Sequence, residues 1–138
     1  PSPYNPPSMF EIKGLLKEVG LQDATELAVR KFSKGMHQRL AFAVAQINDP
    51  ELLILDEPLD GLDPIGRLDF KQMILRKIKS GATIFFSSHI LSDVEEICDE
   101  VAILHKGKII AQGAPKALVK SSKLSLEELF VRSIRNEA

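Results

Sequence analysis

The stretch Leu52–Asp63, LLILDEPLDGLD, constrains the fold more than any other part of this chain. Four apolar residues run directly into Asp56 and Glu57 and then into Pro58. A short apolar run bounded in this way reads as a buried strand that delivers two carboxylates to its carboxyl end. Pro58 has no N–H, so sheet pairing stops there and the acids sit at the rim, where ligands bind in parallel α/β sheets. Successive strand side chains point to opposite faces, so the two carboxylates are expected to serve different tasks, one holding a metal and the other a water. By itself such a pair also suits a solvated strand end. The usual companion of a catalytic pair is a loop G-x-x-x-x-G-K-[ST], whose backbone N–H groups wrap phosphates. None occurs in the 138 residues; the one Gly-Lys pair, Gly107-Lys108, is followed by Ile109 and lacks the upstream glycine.

The flanking sequence predicts an α/β fold. Four prolines make PSPYNPPS an irregular lead-in over residues 1–8. Ser8 and Glu11 have capping-box spacing, Phe10, Leu15, Leu16 and Val19 fall close to one helical face, and Gly20 suits the position just past a helix end. A second helix is expected from near Ser33 to about Asn48, stopped by NDP. After the Leu52–Leu55 strand, Phe70, Ile74 and Ile78 recur every four residues and predict a helix over Arg67–Lys79. ATIFFSSH is then a second strand, and strand, helix, strand with apolar runs implies a parallel pair buried on both faces. SDVEEICDE reads as a short helix, and VAIL and KIIAQG as a hairpin turned at Gly107. In the tail, Ser125 and Glu128 repeat the capping-box spacing ahead of an apolar stripe of Leu126, Leu129, Phe130 and Ile134.

Two further signals carry chemistry. His89 follows a strand that ends in two hydroxyl residues, Ser87 and Ser88, and a rim imidazole can donate to a phosphate oxygen. In FSKGMHQRL, Ser33 and Gly35 stand at the start of a long helix, where free N–H groups and the positive dipole end favour an anion. Taken singly, the histidine also suits a structural role and the serine an ordinary helix cap. His37 and His105 have no comparable setting.

Charge and composition exclude other classes. A formal charge of −1 without a basic block gives no footprint for nucleic acid. The longest apolar run, LAFAVA, is far too short to span a bilayer, and a cytosolic chain is expected. Cys98 is the single cysteine, so no internal disulfide can form.

In this order and spacing the signals resemble the nucleotide-binding domain of ATP-binding cassette proteins, over residues 9–119. FSKGMHQRL resembles that family's signature motif, with Phe32, Lys34 and Met36 as departures from L-S-G-G-Q-x-Q-R. LLILDEP is similar to its Walker B strand and following glutamate, LDGLD to its D-loop with Leu59 in place of threonine, and SSH to its switch-histidine segment. The Lys-Gly-Met variant is more similar to the subfamily that powers exporters.

The resemblance implies the carboxyl-terminal half of a P-loop NTPase (RecA-like) domain. Residues 9–48 would be part of the helical signature subdomain, 49–119 the second half of the ATPase core, and 120–138 a helical extension. It implies ATP and Mg²⁺ as cofactors, with Asp56 on Mg²⁺ through water, Glu57 and His89 as catalytic residues, and Ser33, Lys34, Gly35 and Met36 on the nucleotide of an opposing domain. Gly61, Leu62 and Asp63 would tie the two domains together. Expected partners are a second ATP-binding domain, permease subunits at the cytoplasmic membrane face, and the phosphate-loop half of its own domain. The strand bearing that loop would lie between the strand ending at His89 and Val101–Leu104. Two other readings compete: a lobe of a chromosome-maintenance or repair ATPase, which would show long heptads, and a truncated, non-catalytic interaction protein.

Overall fold

A computed structural model describes residues 6–136, so the lead-in is seen only from Pro6 onward and the last two residues lie outside the described part. The described residues fall into two compact units that divide between Ser87 and Ser88.

The first unit begins with α1, Met9–Glu18. Its capping box is complete: Ser8 Oγ accepts from the Glu11 N–H at 3.2 Å, and the Glu11 carboxylate accepts from the Ser8 N–H at 2.7 Å. Gly20 ends it with φ +72°, as its sequence position predicts. The apolar face is narrower than expected, because Val19 and Leu21 are buried while Phe10 is 87% exposed. Two short 3-10 turns, Gln22–Ala24 and Val29–Lys31, lead to α2, Lys34–Ala45.

Helix α2 stops before the expected Asn48. Asn48 and Asp49 take left-handed backbone, φ +66° and +47°, a region that Asn and Asp tolerate better than most residues. Pro50 disfavours a helical residue before it, which rules out continuation. Asp49 is held there by an ion pair with Lys77.

Strand β1, Leu52–Leu55, pairs in parallel with β2, Thr83–Phe86, with Leu55 opposite Phe86. Between them runs α3, Pro64–Lys79, which starts three residues before the predicted Arg67. The start is set by chemistry rather than apolar periodicity. Asp63 Oδ1 accepts from the Gly66 N–H at 3.1 Å, and Pro64 supplies a preset φ at the first helical position. Phe70 on α3 meets Phe42 on α2 with ring centroids 5.2 Å apart, and together with Leu53, Leu59 and Ile74 they form the core of this unit.

Among the described residues one face of this strand pair is covered and the other is not. Leu53 is 2% exposed, but Leu52, Ile54 and Phe85 on the opposite face are exposed, Ile54 at 72%. An apolar run does not reveal which of its alternate side chains lack a covering element.

The second unit contains α4, Leu91–Ile97, a hairpin of β3, Val101–His105, and β4, Lys108–Gly113, and then α5, Pro115–Ser122, and α6, Leu126–Asn136. The hairpin turns through Lys106 and Gly107, both left-handed, so His105 belongs to the strand and pairs with Lys108. Ser125 and Glu128 form the second capping box, at 2.8 and 3.1 Å. Leu126 of the predicted stripe is buried, and its N–H is capped by Glu95 Oε1 at 3.1 Å.

Candidate functional site

The acids at the end of β1 are organised by a residue that sequence reasoning passed over. Parallel register places Ser87 just past Phe86, where its N–H donates to the Leu55 carbonyl at 3.0 Å. From there its hydroxyl donates to Asp56 Oδ1 at 2.6 Å and accepts from the Glu57 N–H at 2.9 Å. One side chain thus fixes the Asp56 carboxylate and the Glu57 backbone together.

Glu57 has φ +44°, left-handed backbone in a residue that is not glycine. Such a conformation costs on the order of 1–3 kcal/mol and persists only where its surroundings impose it. Here Ser87 holds the N–H, while the next two residues, Pro58 and Leu59, are buried and draw the chain inward. The turn is closed by the Asp60 N–H on the Glu57 carbonyl at 3.1 Å. The divergence of Asp56 and Glu57 expected from strand alternation is therefore achieved differently, by a backbone that leaves the strand between them.

The start of α2 lies beside the second half of this segment. Ser33 is the N-cap, its Oγ accepting from the Met36 N–H at 3.2 Å, and it is exposed. Gly35 sits close to Leu62, where a Cβ would lie 3.3 Å from Leu62 Cδ2. Lys34 Nζ binds Asp60 Oδ2 at 2.8 Å, and Gln38 Nε2 donates to the Asp60 carbonyl at 2.9 Å. Gly61 has φ +66°, which favours glycine, and the Lys34 side chain lies over the space that a Cβ would take.

The structure thus brings Lys34 to Asp60 and Gly61, Gly35 to Leu62, and Asp56 and Glu57 to Ser87, while Ser33 and Met36 are joined to each other at the start of the helix. Asp63 is spent on the cap of α3. His89 belongs to the second unit, exposed at the entry to α4, where Ser88 Oγ accepts from the Ile90 N–H at 3.0 Å. His37 packs its ring on Phe32 with centroids 5.8 Å apart, and its Nδ1 lies 3.0 Å from the Ser33 carbonyl, a local structural setting. Among the described residues no three His, Cys, Asp or Glu side chains converge as a metal cluster. No helix among them is long and apolar enough to cross a membrane.

This geometry has known counterparts. The family model described as ABC transporter matches residues 8–60, which includes the start of α2, β1 and both acids. A solved structure of the ATP-binding subunit of an ABC transporter superposes with a TM-score of 0.78 at 34% identity, covering 92% of this chain and 56% of that one. The chain belongs to the ATP-binding cassette family. Among curated ATP-binding cassette proteins, an uncharacterized ABC transporter ATP-binding protein of Nostoc sp. is 51% identical over 112 residues, 80% of this chain and 33% of its own length. A fluoroquinolones export ATP-binding protein of Mycobacterium tuberculosis is 46% identical over 104 residues, 75% of this chain and 35% of its own. The chain spans about a third of the length of these curated relatives. Its α/β fold with a small parallel sheet is that of cassette ATPase domains.

Proposed function

We propose that this chain is part of the ATP-binding subunit of a membrane transporter, working on the cytoplasmic face with permease subunits and a second ATP-binding domain, and hydrolysing ATP to drive export. The observation that carries the reading is the Ser87 bridge, which holds one acid by its side chain and the next by its backbone. An acid fixed by its carboxylate beside one fixed only by its backbone N–H suits two different tasks. Export is favoured by the relative named for fluoroquinolones export and by the Lys-Gly-Met signature variant.

In this reading Glu57 orients the attacking water or takes its proton, at a point where its left-handed backbone leaves the strand that ends at Asp56. Asp56 suits Mg²⁺, an ion that is typically held by one or two carboxylates together with substrate phosphates and waters, so the lack of a larger ligand cluster is no obstacle. When bound, Mg²⁺ supplies charge neutralisation on the phosphate oxygens. His89 donates to the γ-phosphate. Ser33, Gly35 and Met36 receive the nucleotide of the opposing domain at the positive end of α2. Gly61, Leu62 and Asp63 face the junction between the two domains.

The test is Glu57→Gln in the complete subunit. Turnover is expected to fall on the order of 10²–10⁴-fold while ATP binding persists. Undiminished turnover would exclude Glu57 as the base.

A further inference from the structure

We infer that Lys34 is a positioning residue for the Glu57 turn, acting through Asp60 rather than directly on a nucleotide; this rests on the ATPase reading above. Lys34 departs from the family's usual glycine, and its placement at an anion-favouring helix start invites assignment to a phosphate. The geometry points elsewhere. Its ammonium is already neutralised by Asp60 Oδ2 at 2.8 Å, on its own chain. To get there the side chain lies across Gly61, with Nζ, Cε and Cδ at 2.1, 2.7 and 2.9 Å from where a Cβ would be.

A second group on the same helix face completes the hold. Gln38, one turn along α2, donates to the Asp60 carbonyl at 2.9 Å. Asp60 is therefore gripped by side chain and by main chain from one helix. Its own N–H closes the turn on the Glu57 carbonyl at 3.1 Å. Lys34, Asp60 and Glu57 form a continuous path of two polar links that ties the signature helix to the acid-bearing turn. Both charged partners are about half exposed, 58% and 47%, so the hold is weak enough to release.

The experiment is a double-mutant cycle in the complete subunit, with Lys34→Met, Asp60→Asn, their combination, and the charge swap Lys34→Asp with Asp60→Lys. Each single change is expected to lower kcat about two- to five-fold with the KM for ATP unchanged, the scale of an exposed ion pair. The combination should be no worse than either single change, and the swap should recover part of the loss. Amide hydrogen exchange of residues 57–63 in the nucleotide-free subunit should rise equally in both single variants. A raised KM for Lys34→Met with Asp60→Asn neutral would overturn the proposal and return the ammonium to the nucleotide, and strictly additive losses would overturn it too. If exchange is coupled but wild-type subunit hydrolyses no ATP, the ATPase reading fails while the link between Lys34 and the turn stands.

Discussion

Ser87 Oγ lies 2.6 Å from Asp56 Oδ1, a hydrogen bond between residues 31 positions apart that exists only because β1 and β2 pair in the observed register. The same hydroxyl holds the Glu57 N–H. Ser87→Ala should therefore loosen both acids at once. We expect the complete subunit to lose about tenfold or more in kcat, since one charge-assisted hydrogen bond is worth about 1.5–3 kcal/mol. Ser87→Thr, which keeps the hydroxyl, should lose less. Steady-state ATPase rates check this, and equal loss in both variants would mean that side-chain volume rather than the hydroxyl matters.

Sharing of sites between domains is open to a mixing experiment. Glu57→Gln and Ser33→Arg should each abolish turnover, the first at its own nucleotide and the second by blocking the opposite one. In a mixed pair both lesions fall on one composite site, so the other site is intact. ATPase rate against mixing ratio should pass through a maximum; a rate that never exceeds either pure variant would count against placing Ser33 on the neighbour's nucleotide.

Burial first, and then the neighbouring Asp99 charge, push the Cys98 thiol from its ordinary 9.0 up to about 11. Thiolate is the reactive form, so at pH 8 about one thiol in a thousand is ionised instead of about one in ten. Alkylation of Cys98 by iodoacetamide should run about a hundredfold slower than that of a free thiol, and Asp99→Asn should speed it only slightly because burial is the larger cause. Stopped-time mass spectrometry reads the rate.

The two capping boxes differ in a way that titration can detect. Glu11 is held below its ordinary 4.5 chiefly by the Ser8 hydroxyl, whereas Glu128 is held down chiefly by the Ser125 N–H. Both depressed carboxyls stabilise their helices above the ordinary value, and the contribution is lost as pH falls through the folded value. Ser8→Ala removes the larger cause at Glu11 and should raise it toward its ordinary value, while Ser125→Ala leaves the larger cause, the N–H, in place and should raise Glu128 less. Carboxyl chemical shifts followed from pH 6 to pH 2 measure both.

Much of this was legible in the order of residues because the governing forces are local. Ser8 with Glu11 and the apolar run into Asp56 each act within a few positions. The capping of α3 by Asp63 ahead of Pro64 is equally local, yet apolar periodicity alone placed the start at Arg67. Ser87 and the link from Lys34 to Asp60 are different. They join residues 31 and 26 positions apart, and nothing short of the strand register and the path of the turn reveals them. The left-handed Glu57 runs against the preference of its residue type, and only the bond from Ser87 and the buried Leu59 explain it.

The bare side of β1 and β2 gives genetics a ruler. Neighbouring positions along a single strand should show opposite tolerance to substitution: Leu53 should accept only other apolar residues, whereas Leu52 and Ile54 should accept lysine or threonine if water is all they meet. A deep mutational scan of the complete gene would therefore report, codon by codon, whether that side is covered in the working protein. Intolerance at Ile54 and Phe85 matching that at Leu53 would mark a neighbour packed against the sheet.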